Sequence, residues 1–160
     1  MNDPDKRLRK HLDRLLSGEG AHVSFDKAVA DLSPEKRGAK LKGEPHTPWR
    51  VVEHMRIAQW DILEFSRNHK HESPEWPTGY WPDGDAPPDE AAWDRTVRQF
   101  KHDLAEMRKL IADPAQDLFK PFAYGEGQDL CREALTLADH NAYHLGQLIL
   151  LRRALGAWKE

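Results

Sequence analysis

Apolar residues recur every three or four positions along much of the chain, which is the spacing of one face of an α-helix. The clearest stripe consists of Trp93, Val97, Phe100, Leu104, Met107 and Ile111. We expect this stripe to lie in the core. No segment alternates apolar and polar residues with β-branched enrichment, and no repeat of fixed period is visible. The pattern therefore predicts an all-α protein.

Glycine, proline and capping residues indicate where the first two predicted helices begin and end. The first helix covers about residues 5–32, and Gly18 and Gly20 split it or bend it. Thr47 and Pro48 open the second helix, because threonine is a good N-cap and proline suits the first helical position. The second helix runs to about residue 68, before the prolines that follow.

The third and fourth predicted helices have equally clear limits. The third starts after Pro88 and ends near Asp113. The fourth runs from about Leu130 to Leu155, and Gly156 is well placed to end it. Four long amphipathic helices in a chain of 160 residues predict a four-helix bundle.

Two of the predicted connections are longer than those of most helix bundles. They span about residues 69–88 and 113–129. The former holds Trp76, Tyr80 and Trp81 among several prolines. Such a loop either packs over the end of the bundle or forms a lid that faces a substrate, and both interpretations stay open.

Length, charge and cysteine content narrow the class of protein. The chain fits a single domain, residues 1–160, and its one cysteine, Cys131, excludes an internal disulfide. The first residues lack the apolar run of a signal peptide, and no segment approaches the ~20 apolar residues of a membrane span. We therefore expect a cytoplasmic protein that binds no membrane. The net charge of -3 disfavours nucleic acid. The one basic cluster is interpreted as a solvated turn in preference to the alternative, a phosphate-binding patch: Lys36, Arg37, Lys40 and Lys42.

Two histidines on the fourth predicted helix lie four residues apart on its apolar face. At this spacing the two imidazoles of His140 and His144 can reach one cation. The pair alone is weak evidence for a metal site. Zinc proteases of this pattern also need Glu directly after the first histidine, and Asn141 stands there, so the zinc-protease pattern does not fit. The residues that share the face of the pair are Leu137, Leu148, Leu151 and Leu155.

A third histidine, His54, lies on the apolar stripe of the second predicted helix with Val51, Ala58, Ile62 and Phe65. An unpaired polar group in a core costs roughly 1–3 kcal/mol, so each imidazole needs a partner. A carbonyl or a carboxylate is one solution for each ring. A shared divalent cation fits three imidazoles better, and three protein ligands leave a coordination position open for water or substrate.

Other polar residues near these faces are weaker candidates for function. His22 lies at the edge of an apolar stripe and could donate a proton near the site. Asp61 and Gln147 border the histidine faces and could orient an imidazole, or could simply form an ion pair and a hydrogen bond between helices. Cys131 is expected to be a buried apolar residue and not a ligand. The remaining histidines are expected to be solvated: His11, His46, His69, His71 and His102.

The segments "VVEHMRIAQWDILEF" and "ADHNAYHLGQLILLRRALG" resemble the DinB-like family of metal-binding four-helix bundles. The motifs "WP…YWP" and "GEGQDLCRE" are similar to one subgroup, and the resemblance covers about residues 20–157. It implies a divalent ion, often zinc or nickel, held by one histidine of the second helix and two of the fourth. The matching positions here are His54, His140 and His144.

The resemblance leaves the activity open between several classes. Relatives include thiol S-transferases that use mycothiol or bacillithiol, a mycothiol-dependent maleylpyruvate isomerase, and proteins classed as metal-dependent hydrolases. It implies a small-molecule substrate and a possible low-molecular-weight thiol cosubstrate, although no thiol pocket is evident in the sequence. Thiol transfer is placed ahead of hydrolysis, because no inward carboxylate follows the first metal histidine of the fourth helix as a general base. The alternative is a stress-related metal-binding protein without turnover.

The second and fourth predicted helices each show another apolar face away from the histidines. An uncovered apolar face marks an interface, and the N-terminal segment or the tryptophan-rich loop could also cover it within one chain. Because the resembled family commonly dimerises, we expect a homodimer. The residues of the two faces are Trp49, Val52, Trp60 and Leu63, and Ala138, Ala142, Leu145 and Ile149.

Overall fold

The computed structural model describes residues 3–18 and 20–159, which form six α-helices and no strand. The prediction of an all-α protein is therefore confirmed for this part of the chain. None of its helices is both long enough and apolar enough to cross a membrane. The helices are α1 (Pro4–Leu16), α2 (Phe25–Val29), α3 (Pro34–Arg37), α4 (Pro48–Arg67), α5 (Ala92–Ala112) and α6 (Leu130–Ala154).

The predicted boundaries of the long helices α4 and α6 are confirmed in atomic detail. The Thr47 hydroxyl accepts the backbone N–H of Arg50 at 3.2 Å, so it caps α4 immediately before Pro48. At the other end of the chain α6 stops at Ala154. Gly156 follows with a φ of +65°, a conformation that favours glycine, and its N–H bonds to the last turn of the helix.

The first predicted helical stretch, about residues 5–32, is split at Gly18 and Gly20 and not bent, which is one of the two alternatives that the sequence left open. Gly18 and Gly20 have φ angles of +70° and +120°, which no right-handed helix contains, and Glu19 between them lies outside the described residues. A new helix, α2, starts after Ser24, whose hydroxyl accepts the backbone N–H of Lys27. The short helix α3 was not predicted.

The four long helices form a bundle in which α4 and α1 each pack against both α5 and α6. Helices α4 and α6 run in opposite directions, because His54 contacts His144 whereas Gln59 contacts Asn141. The short helices add to this frame, α2 against α6 and α3 against α4. The long connections predicted between α4 and α5 and between α5 and α6 are present.

The apolar core consists of two clusters with polar side chains between them. One cluster packs α2 against the first halves of α4 and α5 and the second half of α6. The other packs α1 against the second halves of α4 and α5 and the first half of α6. Between them lies Gln59, which is fully buried. Its amide donates to the carbonyl of Phe100 at 2.5 Å and accepts from the Asn141 amide at 3.1 Å. The three long helices α4, α5 and α6 therefore meet at one polar side chain.

The two apolar faces that predicted an uncovered surface are mostly buried inside the chain. Trp49, Val52 and Leu63 of α4 are 4%, 0% and 0% exposed, and Ala138 and Leu145 of α6 are 8% and 4% exposed. Helices α1 and α5 pack against these helices and share both apolar clusters with them. The sequence left open whether a second chain or a segment of the same chain covers these faces, and the structure shows that segments of the same chain cover them. The homodimer stays a prediction.

Candidate metal centre

Three imidazoles from two helices meet between α4 and α6. The Nε2 atom of His54 lies 3.1 Å from Nε2 of His144 and 3.0 Å from Nε2 of His140. His54 and His144 are buried and His140 is partly buried. Nitrogen atoms of all three rings lie within 4.8 Å of one another, and no other such group of His, Cys, Asp or Glu occurs within residues 3–18 and 20–159.

The outer nitrogens of two of these rings have fixed hydrogen-bond partners. Nδ1 of His54 lies 2.8 Å from the backbone carbonyl of Tyr80, and Nδ1 of His144 lies 3.0 Å from Oε1 of Gln147. Both partners are acceptors, so each Nδ1 carries the proton and donates it. The Nε2 atoms of neutral His54 and His144 then present lone pairs to each other.

Two lone pairs that face each other at 3.1 Å repel unless a proton or a cation lies between them. His140 can donate its Nε2–H to one of the two rings only. Bonds of ~2.0–2.1 Å from two imidazoles to one ion span up to ~4.2 Å, which exceeds both Nε2 separations. The donor set therefore suits a divalent ion, and the three histidines could hold one.

The surroundings keep the three imidazoles neutral. Burial lowers the pKa of His54 from 6.5 to about 4, although its bond to Tyr80 opposes this. Burial, together with the neighbouring His144 and His54, lowers the pKa of His140 to about 3. Burial also lowers the pKa of His144. Because metal ligation requires the neutral ring, the site is ready for a cation at neutral pH.

The loop between α4 and α5 covers one face of His54. The Trp81 ring stacks on His54 with the centroids 3.9 Å apart, and His46 stacks on the other side of Trp81, also at 3.9 Å. The prediction that His46 is solvated is therefore wrong, because the indole covers its ring. Trp76 at the tip of the same loop is 75% exposed.

Asp61 holds this loop against α4. Its carboxylate accepts a hydrogen bond from the Tyr80 hydroxyl at 2.6 Å and another from Nε2 of His71 at 2.7 Å. The prediction that His71 is solvated is wrong, since its side chain is only 7% exposed. Asp61 does not touch a metal-site imidazole directly. It acts through Tyr80, whose carbonyl orients His54.

The other candidate residues lie at different distances from the three imidazoles. Gln147 contacts His144, as described above. His22 is exposed, its Nδ1 lies 2.9 Å from the carbonyl of Val23, and it makes no hydrogen bond or ring contact with the three imidazoles. Cys131 is a partly buried free thiol that packs against the cluster containing α1. The histidines that are exposed as predicted are His11, His69 and His102.

A family model described as the DinB superfamily matches residues 19–148. The chain belongs to the DinB superfamily. The matched range contains His54, His140 and His144, and proteins of this superfamily are metal-dependent. Neither the curated proteins nor the solved structures gave a significant match. The family match comes from the sequence of residues 19–148, and the convergence of the three imidazoles comes from the structure.

Sequence reasoning missed three contributors to the site of this DinB-superfamily protein. They are the Tyr80 carbonyl, the Trp81 ring and the His71 partner of Asp61. The available signal was the density of aromatic residues in a long, proline-rich connection, which suggested packing or a lid. That signal does not specify which backbone atom points at a histidine.

Proposed function

We propose that this chain is an enzyme that binds one divalent metal ion through His54, His140 and His144. The observation that carries the proposal is the convergence of three Nε2 atoms, two of which are bare acceptors because their Nδ1–H groups are engaged. Three protein ligands leave a coordination position open, which is typical of catalytic and not of structural sites. Zinc and nickel are the favoured ions, since imidazole suits both.

A bound divalent ion lowers the pKa of a thiol or a water molecule in its open position and so supplies a nucleophile at neutral pH. The residues around the three imidazoles favour the thiol. Among the described residues, their hydrogen-bond and ring partners are each other and neutral groups of Tyr80, Trp81, Asn141, Tyr143 and Gln147. A positioned acid or base would assist a hydrolase by moving a proton to or from the reacting groups, whereas attack by a metal-held thiolate needs little such assistance.

We therefore propose transfer of a low-molecular-weight thiol to an electrophilic small molecule. The thiol sulfur forms a bond with the electrophilic carbon, the leaving group departs with its bonding electron pair, and the thiol proton passes to solvent. Trp76, which is 75% exposed, packs against Tyr80 of the site and gives apolar surface for the electrophile.

Metal content tests the first part of the proposal. The protein should bind one equivalent of Zn²⁺ or Ni²⁺, and His54→Ala, His140→Ala and His144→Ala should each lose it. At 1,000 times the dissociation constant a ligand adds ~4.1 kcal/mol of stability, so chelation should lower Tm by roughly ten degrees. His102→Ala, an exposed histidine on α5, is the matched control and should retain full stoichiometry. Full metal content in all three site variants would contradict the assignment.

The reaction is tested separately with metal-loaded protein. Mycothiol, bacillithiol and cysteine are each incubated with a chromogenic chloronitroarene, and ester and amide panels are incubated without thiol. Thiol conjugation that disappears in His144→Ala supports the transferase. Metal-dependent ester cleavage without thiol would favour the hydrolase instead. Metal binding without turnover in either assay would favour a stress-related metal-binding protein.

We also propose that the chain forms a homodimer through α6. Its solvent face carries Leu135, Tyr143 and Leu150, which are 48%, 71% and 65% exposed. They lie seven or eight residues apart around Gly146, where a built Cβ meets nothing within 4 Å. A small residue at the centre of an apolar stripe permits a close two-fold contact between identical helices. Sedimentation should show a dimer that Leu150→Lys dissociates, and a wild-type monomer at high micromolar concentration would refute it.

A further inference from the structure

A cavity of about 310 Å³ lies at the C-terminal end of α6, far along the helix from the three histidines. Residues of α2, of the segment leading into α3 and of the last turn of the chain line it. Basic groups dominate the lining, although the chain as a whole carries a net charge of -3. The charged and aromatic residues that line it are Lys27, Asp31, Lys36, Arg152, Trp158 and Lys159.

Arg152 is a buried cation that has no carboxylate within 4.0 Å among the described residues. It is 4% exposed, and its guanidinium donates to the carbonyl of Ala28 at 2.6 Å and twice to the carbonyl of Ala157, at 3.0 and 2.8 Å. These acceptors are neutral, so they satisfy the hydrogen bonds of the guanidinium without neutralising its charge. Burial lowers the pKa of Arg152, and the charge of Asp31 opposes this. A buried charge is costly until an opposite charge approaches it.

The three lysines add to this positive charge. Within the described residues none of Lys27, Lys36 and Lys159 has a carboxylate within 4.0 Å. Lys27 instead places its ammonium 5.8 Å from the centre of the Trp158 ring, and the Arg152 guanidinium lies 5.2 Å from the same ring. Of the described residues, four cations, one acid (Asp31) and one aromatic ring (Trp158) thus line the cavity.

We propose that this cavity binds the phosphate group of a small molecule, independently of the metal centre. Lysine ammonium groups are point charges that suit a tetrahedral dianion, whereas the planar fork of Arg152 that would suit a carboxylate is already engaged by carbonyls. The local excess of positive charge matches a dianion. The Trp158 ring gives an apolar surface on which an aromatic or apolar part of the ligand packs.

The test is a titration of the metal-free full chain with orthophosphate and with phenyl phosphate, followed by amide and indole NMR shifts. Orthophosphate should bind saturably with a Kd of ~1 mM, and phenyl phosphate should bind more tightly if Trp158 contributes. The largest shifts should occur at Gly156, Ala30 and the Trp158 indole. Equal affinities for orthophosphate and phenyl phosphate would mean that the cavity recognises the phosphate group alone. That result would overturn the proposed contribution of Trp158.

Charge variants decide whether the cavity is responsible. Lys27→Gln/Lys36→Gln should weaken orthophosphate binding about tenfold or more, because one charge at ~4 Å contributes a factor of about five even in water. Lys10→Gln/Lys120→Gln removes the same charge from exposed positions elsewhere and should leave the Kd unchanged. Equal loss in both double variants, or shifts spread over the surface without saturation, would overturn the proposal. Arg152 is left intact because its carbonyl bonds hold α2 against α6.

Discussion

Removal of the Tyr80 hydroxyl should weaken metal binding although that hydroxyl is not itself a ligand. Tyr80→Phe deletes the 2.6 Å bond to Asp61 and keeps the backbone carbonyl that accepts Nδ1–H of His54. A hydrogen bond to a charged group is worth ~1.5–3 kcal/mol, and its loss frees the loop that carries the carbonyl. Outer partners of metal ligands typically contribute ~10–100-fold to affinity. We expect about a tenfold increase in the Zn²⁺ Kd, or ~1.4 kcal/mol.

Tyr124→Phe provides the matched control. The Tyr124 hydroxyl donates to the carbonyl of Phe65 at 2.7 Å. The variant therefore loses one hydrogen bond of similar length at a place that does not touch the three imidazoles. Competition with a chromogenic chelator measures the Kd, and thermal unfolding of the metal-free protein measures stability. Both variants should lose stability, and only Tyr80→Phe should lose affinity. Equal Zn²⁺ affinity in the two variants would refute the positioning role of Asp61 and Tyr80.

Two further predictions concern buried polar groups away from the metal centre. Burial raises the pKa of Asp103 above its usual value of 3.8. The protonated carboxyl therefore contributes to the stability of the folded protein below pH 3.8, and this contribution is lost as the pH rises through the raised pKa. Asp103→Asn should therefore raise Tm at pH 7, by roughly 2–4 °C for each kcal/mol gained, and a gain that persists below pH 3.8 would contradict this. Gln59→Leu should cost ~1–3 kcal/mol because it strands the Asn141 amide. Gln59→Leu/Asn141→Leu should recover part of that loss in the metal-free protein, and no recovery would argue against the pairing.

The long helices were predictable because their apolar spacing and their caps agree. Thr47, Pro48 and Gly156 are local signals, and the same residues set the ends of α4 and α6 in the structure. The N-terminal region was predictable only as two alternatives, a split or a bend at Gly18 and Gly20, because its apolar spacing continues on both sides of these glycines. The positive φ angles of both glycines, and the packing of α1 on α5 and α6 and of α2 on α6, show the split.

The three histidines were predictable for a related reason. The period of a helix states which residues share a face, and His54, His140 and His144 fall on the inward faces of two helices. Their surroundings were not predictable, because a proline-rich loop has no period. Only the folded loop shows that Trp81 lies on His54 and that its backbone neighbour, Tyr80, accepts the Nδ1 proton.

The separation of the core into two apolar clusters has a consequence for how this fold tolerates change. Substitutions in contact with each other couple energetically, whereas distant ones add. Leu12 belongs to one cluster and Phe25 to the other, and the polar layer around Gln59 lies between the clusters. Apart from Leu104, which packs against both clusters, each half of the bundle can therefore be repacked on its own, provided that the intervening layer is preserved. We therefore expect substitutions to accumulate nearly independently in the two apolar clusters, while the polar layer and the imidazoles beside it are retained together.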